Sequence, residues 1–190
     1  MTENDSLEHA IHEAVQLSPY SPDWPRVFRT EQERLSRLFP QSMAIEHIGS
    51  TVIEGMEAKP IFDMLAGVAS MDVARSLAKP LCQSGYTTSI QFNASLTDRQ
   101  WFMRWADGHR THYLHVVVHE GAVWQVRLKF RDALGAIPNG PRNICSSSSA
   151  WPQSTRMTSR LIPFLHHPCT LSASLAVRFV LASLRLRVHK

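Results

Sequence analysis

Ile45-Glu-His-Ile-Gly-Ser-Thr51, followed after a short gap by Lys59-Pro-Ile-Phe-Asp-Met-Leu65, decides how this chain folds. The segment from residue 42 to Ile48 reads as a strand that ends in a Gly-Ser turn. Pro60 to Val68 is a continuous apolar run broken only by Asp63. Such a run suits a central strand buried on both faces. Twelve residues separate Ser50 from Asp63. That gap is enough for the chain to turn and return a carboxylate beside the glycine. The intervening segment, with Gly55, reads as a loop or a short helix.

Outward from this pair, the pattern alternates helices and strands. Ser18-Pro-Tyr-Ser-Pro-Asp-Trp-Pro25 opens a helix in which Ser21 can cap and Pro22 can occupy the first turn. Trp24, Val27, Phe28, Leu35 and Leu38 give it one apolar face, and Pro40 ends it. Asp72 opens a second helix that runs to Ser84 and stops at Gly85; Pro80 weakens its second half. Thr87 to Phe92 and Gln100 to Trp105 read as strands of a meander. Thr111 to His119, with Val116-Val117-Val118 at its centre, is a stronger strand. A helix from Val123 to Leu134 follows, with Val123, Val126, Phe130 and Leu134 as its apolar face. The predicted fold class is α+β: a mixed β-sheet with packed helices, in which strands 42–48, 60–68 and 111–119 are neighbours.

The chemistry sits at the same place. Backbone N–H groups at a Gly-Ser turn can hold a phosphate, and the Ser50 hydroxyl adds a donor. Asp63 on the neighbouring strand can hold a divalent cation against that phosphate. An unpaired buried carboxylate costs several kcal/mol, so Asp63 is either a site residue or salt-bridged to Lys59 or Arg131. Strand alternation lets only one of Glu46 and His47 face the site. His47 and His115 read equally well as core histidines. Lys59 is either a phosphate ligand or a solvated loop residue. Arg131 either binds phosphate or pairs with Asp132 at a helix end. Trp101, Phe102 and Trp105 read as core more readily than as a stacking platform.

Tyr20-Ser-Pro-Asp-Trp24 with Phe28 and Glu31, then Glu46-His-Ile-Gly-Ser-Thr51, Gly55 and Ala58-Lys-Pro-Ile61 with Asp63, then Thr111-His-Tyr-Leu-His-Val116, Trp124 and Phe130-Arg-Asp132 resemble the three sequence blocks of the GrpB family, in order, over residues 18–134. The resemblance implies a nucleotidyltransferase-type fold of the polymerase-β palm kind. It also implies a link to nucleotide or coenzyme A metabolism, because the family occurs fused to dephospho-coenzyme A kinase. Carried onto this chain, it makes Asp63 and His115 the catalytic candidates. Gly49, Ser50, Thr51, Lys59 and Arg131 become phosphate or nucleotide ligands. Asp63, Glu46 and His115 become metal ligands, with His47 at the pocket rim. Mg²⁺ or Mn²⁺ is the implied cofactor, ahead of Zn²⁺. The chain departs from an active nucleotidyltransferase in carrying Leu65 where the second acid of Asp-x-Asp belongs and His115 where a third carboxylate belongs. Imidazole is a poor Mg²⁺ ligand. Two functions follow: metal-dependent nucleotidyl transfer to a small substrate, or non-catalytic binding of a nucleotide or coenzyme A precursor.

Composition bounds the rest. The 190 residues fit one domain with an appendage, and 44% hydrophobic content is ordinary. Cys82, Cys145 and Cys169 are odd in number and far apart, which argues against disulfides or a zinc site. The polar, acidic start carries no leader pattern, and no stretch is apolar enough to span a membrane, so the cytoplasm is the expected location. The net charge of +4 comes from the end of the chain: all 16 acids and 13 of the 20 bases precede residue 133. A specific nucleic-acid partner is therefore not expected. Residues 1–17 are expected to be flexible, 18–135 to form the domain, and 136–190 to be a basic, acid-free, poorly ordered tail. Its serine run and missing acids make residues 139–190 read as the product of a shifted reading frame. An inactive product is the third functional alternative.

Overall fold

The computed structural model describes residues 17–39 and 44–136. The expectations for residues 1–16 and for the tail from 137 onward lie outside them. Helix α1 spans Trp24–Leu38, and β1 spans Ala44–Ile48. A single 3-10 turn, Ser50–Val52, leads toward β2, Phe62–Val68. Two short helices follow, α2 (Met71–Ser76) and α3 (Ala78–Gln83), and then β3, Tyr86–Thr87. Helix α4 is Ile90–Ala94; β4 is Gln100–Ala106, β5 is His109–Val118 and α5 is Ala122–Gly135.

The five strands form one mixed sheet in the order β1-β2-β5-β4-β3. β2 pairs antiparallel with β1 and parallel with β5, so the three strands expected to be neighbours are neighbours. β4 and β5 form a hairpin closed by Asp107-Gly108. Both residues have positive φ, 51° and 76°, as a tight two-residue hairpin turn requires.

Alternation along β2 builds the two faces. Phe62, Met64, Ala66 and Val68 join Trp24, Phe28 and Leu35 of α1, Ala74 and Leu81 of α2 and α3, and Phe102, Leu114 and Val116 in the main core. Leu65 points the other way and packs with Ile48, Val117 and Trp124 of α5. Further along that second face, Ile61, Met103 and Tyr113 cluster with the partly buried Trp101 and Trp105. Among the described residues no helix is long and apolar enough to cross a membrane.

Four local expectations need correction. The first helix starts at Trp24 with Asp23 before it, and its first-turn proline is Pro25 rather than Pro22. The helix expected over 72–84 is split at Leu77, because Pro80 has no N–H to give the Ser76 carbonyl and its ring crowds that position. Thr87–Phe92 is not a strand: the Ser89 hydroxyl accepts from the Phe92 N–H at 3.2 Å and caps α4. The inner face of α5 carries Trp124, whereas Val126 is 66% exposed.

One acid of α1 is buried inside the apolar face. Glu31 is 3% exposed and receives Arg34 at 2.6 and 2.9 Å, Arg104 at 2.5 Å and the Tyr86 hydroxyl at 2.7 Å. Burial alone raises its pKa, but the hydrogen bonds from Arg34 and Tyr86 outweigh burial and hold it below the ordinary value. This network ties α1 to β3 and β4. We expect Glu31→Gln, which leaves two arginines without their shared carboxylate, to cost roughly 3–5 kcal/mol at pH 7. Because the folded pKa is depressed, that stability is present above about 4.5 and fades as the pH falls further. Urea unfolding at pH 7 and pH 4 checks both statements; equal midpoints for the two proteins at pH 7 would refute them.

Candidate functional site

β1 ends at Ile48, and the chain turns at Gly49 with φ 78° and ψ −167°. A Cβ built there would lie 2.3 Å from Asp63 Oδ2. Both the backbone angle and the contact therefore demand glycine. The Asp63 carboxyl rests against the Gly49 backbone, with Ser50 as the next residue. Strand register explains the approach, since Ile48 is the partner of Asp63 across the β1–β2 ladder. The Thr51 hydroxyl is engaged inside the protein, 2.9 Å from His47 Nε2 and 3.5 Å from the Ile61 carbonyl that accepts from it. Thr51 is fully buried and clamps the turn.

The same register sorts the remaining candidates. Glu46 pairs with Leu65, and Leu65 pairs with His115. These three residues form a row across β1, β2 and β5 on the face that also carries Asp63. Leu65 is fully buried in the middle of that row. It holds the backbones of Glu46 and His115 two strand spacings apart, roughly 10 Å. Glu46 is bound by Arg131 at 2.8 Å, and Arg131 also donates to the His47 carbonyl at 3.2 Å and to Asp132 at 2.8 Å. His47 lies on the opposite face, its ring stacked on Phe28 with centroids 4.5 Å apart. Burial, followed by the charge of Arg131, pushes its pKa down to about 4. The rim position expected for His47 is thus corrected by strand alternation. Lys59 is buried at the approach to β2.

Among the described residues, no group of three or more His, Cys, Asp and Glu side chains gathers to hold a metal. The expected ligand set of Asp63, Glu46 and His115 is divided by Leu65, and its Glu46 is committed to Arg131. One carboxylate and one imidazole do not fit Mg²⁺, which wants hard oxygen ligands in an octahedron.

Arginines surround the pair. Asp63 is half-buried; burial lifts its pKa to about 7, and the charges of Arg127 and then Arg110 oppose the shift. His115 is held well below its ordinary pKa by burial first, then by Arg127 and Arg99. It is therefore a neutral imidazole at physiological pH, and its buried Nδ1 has no hydrogen-bond partner among the described residues. The Arg110 guanidinium donates to the Tyr113 hydroxyl and lies 5.8 Å from the centre of the Trp105 ring. Trp101 leans on Tyr113 with ring centroids 5.5 Å apart. Sequence reasoning singled out Arg131 and passed over Arg99, Arg110 and Arg127. A signal for Arg127 exists: it stands three residues after Trp124 and four before Arg131, on the same helix face.

The family model described as GrpB protein matches residues 14–142, more than half of the chain. The UPF0157 protein YqkA of Bacillus subtilis (strain 168) is 36% identical over 126 residues, covering 66% of this chain and 36% of YqkA. The glutamate-rich protein GrpB of Alkalihalophilus pseudofirmus is 35% identical over 131 residues, covering 65% of this chain and 73% of that protein. The dephospho-CoA kinase of Mycobacterium tuberculosis (strain CDC 1551) is 30% identical over 142 residues, covering 73% of this chain and 32% of the kinase. The match thus spans about a third of YqkA and of the kinase. The crystal structure of the conserved protein GrpB from Enterococcus faecalis superposes with a TM-score of 0.61 at 24% identity, covering 71% of this chain and 81% of that one. That likeness concerns the fold, a mixed five-stranded sheet with packed helices. The chain belongs to the GrpB family.

Proposed function

We propose that this domain binds a phosphate-bearing small molecule, a nucleotide or coenzyme A precursor, at the Gly49–Asp63 contact, and neutralises its charge with arginines rather than with a metal. The observation that carries this reading is that Asp63, packed on Gly49, shares its surroundings with Arg127 and Arg110 instead of further acids. Guanidinium forks match phosphate oxygens in pairs. Gly49 and Ser50 would grip a phosphate through the turn, and Lys59 would lie behind it. Arg131, fixed by Glu46 and Asp132, would orient the helix that carries Arg127.

Metal-dependent nucleotidyl transfer is the competing reading. It needs acids at the positions of Leu65 and His115, and the buried leucine counts against it. The relatives named dephospho-CoA kinase motivate coenzyme A and its precursors as ligands to try, although their match covers only a third of that protein.

Thermal shift with ATP, coenzyme A, dephospho-coenzyme A and pyrophosphate, each in EDTA and again with Mg²⁺ or Mn²⁺, separates the readings. We expect at least one ligand to raise Tm in EDTA; at a hundred times Kd the gain is about 2.7 kcal/mol. A response confined to the metal-containing samples would favour transfer chemistry, and silence from all four ligands would end the binding reading. Ser50→Ala should weaken binding by roughly 1 kcal/mol, one neutral hydrogen bond.

A second expectation concerns Asp63 itself. Its folded pKa of about 7 lies above the ordinary 3.8, so its contribution to stability is full below 3.8 and is lost as the pH rises through about 7. Asp63→Asn, which never ionises, should therefore gain on the wild type between pH 4 and pH 7 and keep a Tm advantage of several degrees at pH 8. Melting curves for both proteins across that range provide the check. A difference that does not change with pH would mean that Asp63 is not strained in this way.

A further inference from the structure

We infer that Trp101 and Trp105, half-buried beside the Gly49–Asp63 contact, form a stacking surface for a heteroaromatic base, so that the ligand held there is a nucleotide rather than a base-free phosphate ester. The inference rests on the proposed phosphate-binding reading and names the part of the ligand that the turn and the arginines do not grip.

Register and packing place this surface. Asp63 is the cross-strand partner of Tyr113, and Tyr113 is the partner of Met103, so the three side chains share the second face of the sheet. Ile61, Met103 and Tyr113 form a small cluster, and Trp101 and Trp105 pack against it. Ile61 also joins this cluster to the turn, because its carbonyl accepts from the Thr51 hydroxyl at 3.5 Å. Among the described residues, α5 contributes Val123, Trp124 and Leu128 to the neighbouring cluster around Leu65 and none to this one. The aromatic surface begins where the packing of α5 ends. β5 lies one strand spacing from β2 and β4 lies two, roughly 10 Å. A base joined through ribose to a phosphate at the turn can span that interval.

Burial and chemistry point the same way. Phe102, between the two tryptophans in sequence, is fully buried in the main core on the opposite face. Trp124 is 4% exposed. Trp101 and Trp105 differ from both in keeping part of their indole surface open. The π groups run in series. Phe92 meets Trp101 edge-on at 5.3 Å, Trp101 lies 5.5 Å from Tyr113 with planes 30° apart, and the Arg110 guanidinium lies 5.4 Å from Tyr113 and 5.8 Å from Trp105. The β4–β5 ladder slips between Arg104 and Trp105 and pairs Trp105 with Arg110. Such a slip re-aims a side chain, and here Arg110 joins the rings of the second face. Aromatic rings and guanidinium planes are the groups on which bases stack, and every base has a π-face to offer them. The charge of Arg110 also acts on Asp63, so one guanidinium stands between the phosphate end and the base end of the ligand.

Isothermal titration of the full chain in EDTA with AMP and with ribose 5-phosphate tests the surface, because AMP adds only the base. The wild type should bind AMP at least tenfold more tightly, the discrimination expected of one stacked base. Trp105→Leu should remove most of that ratio by weakening AMP, with ribose 5-phosphate changed less than threefold, and Trp101→Leu should act in the same direction. Trp105→Phe, which keeps a ring, should retain part of the preference and provides a readout if the leucine variants fold poorly. Ser50→Ala should weaken both ligands alike. A wild type that binds the two ligands equally, or folded leucine variants that keep the full ratio, would overturn the surface and leave the proposed function standing. Tryptophan variants that weaken both ligands alike would reduce the cluster to packing and overturn it as well. A wild type that binds neither of these ligands nor any of the four in the thermal-shift series would overturn both readings.

Discussion

The contact between the Asp63 carboxyl and the Gly49 backbone is the constraint around which the second face of the sheet is arranged. It fixes the end of β1 against β2 and demands a glycine at a left-handed turn. It also keeps a carboxylate where apolar packing alone would have placed another leucine. Thr51 and His47 clamp the turn from the opposite side. The turn is therefore held by the core and is not free to relax away from Asp63. A polar group in such a position is costly, and the surrounding arginines offset only part of that cost.

Two carboxylates, the buried Glu31 and the half-buried Asp63, sit in very different settings. Glu31 is saturated by two arginines and a tyrosine hydroxyl, and its pKa is depressed. Asp63 is not saturated, and its pKa is raised. The first arrangement stabilises the fold; the second stores strain on the face where the arginines and the aromatic side chains converge. Desolvation is the largest influence on both acids; they differ in that hydrogen bonds from Arg34 and Tyr86 close on Glu31, whereas only the more distant charges of Arg127 and Arg110 oppose burial at Asp63.

Much of this arrangement was legible in the sequence, and the failures have physical causes. The neighbouring strands β1, β2 and β5 follow from apolar runs whose pattern needs no tertiary information, and Asp63 stands out because it interrupts one of them. The helix α4 was hidden because a serine cap outweighed the β-propensity of Thr87 to Phe92. The inner face of α5 was misread because periodicity assigns charged residues to solvent, whereas Arg131 turns inward to Glu46 and the charge of Arg127 acts on both Asp63 and His115. Hydrophobic patterning finds cores and therefore overlooks a helix face that is partly buried and cationic. The role of Leu65 as a wedge between Glu46 and His115 required the register of all three strands.

The parallel pairing of β2 with β5 has a kinetic consequence. The β4–β5 hairpin closes over a two-residue turn and is a local structure, whereas β2 reaches β5 only after some forty intervening residues have been placed. Loop-closure entropy makes such non-local pairing slow. Asp63 and His115 come onto one face only through that pairing, so the candidate site forms only once the slowest element of topology is in place. A molecule bound there stabilises the finished protein and has little to hold in the transition state. It would act as a brake on unfolding and leave the rate of folding almost unchanged.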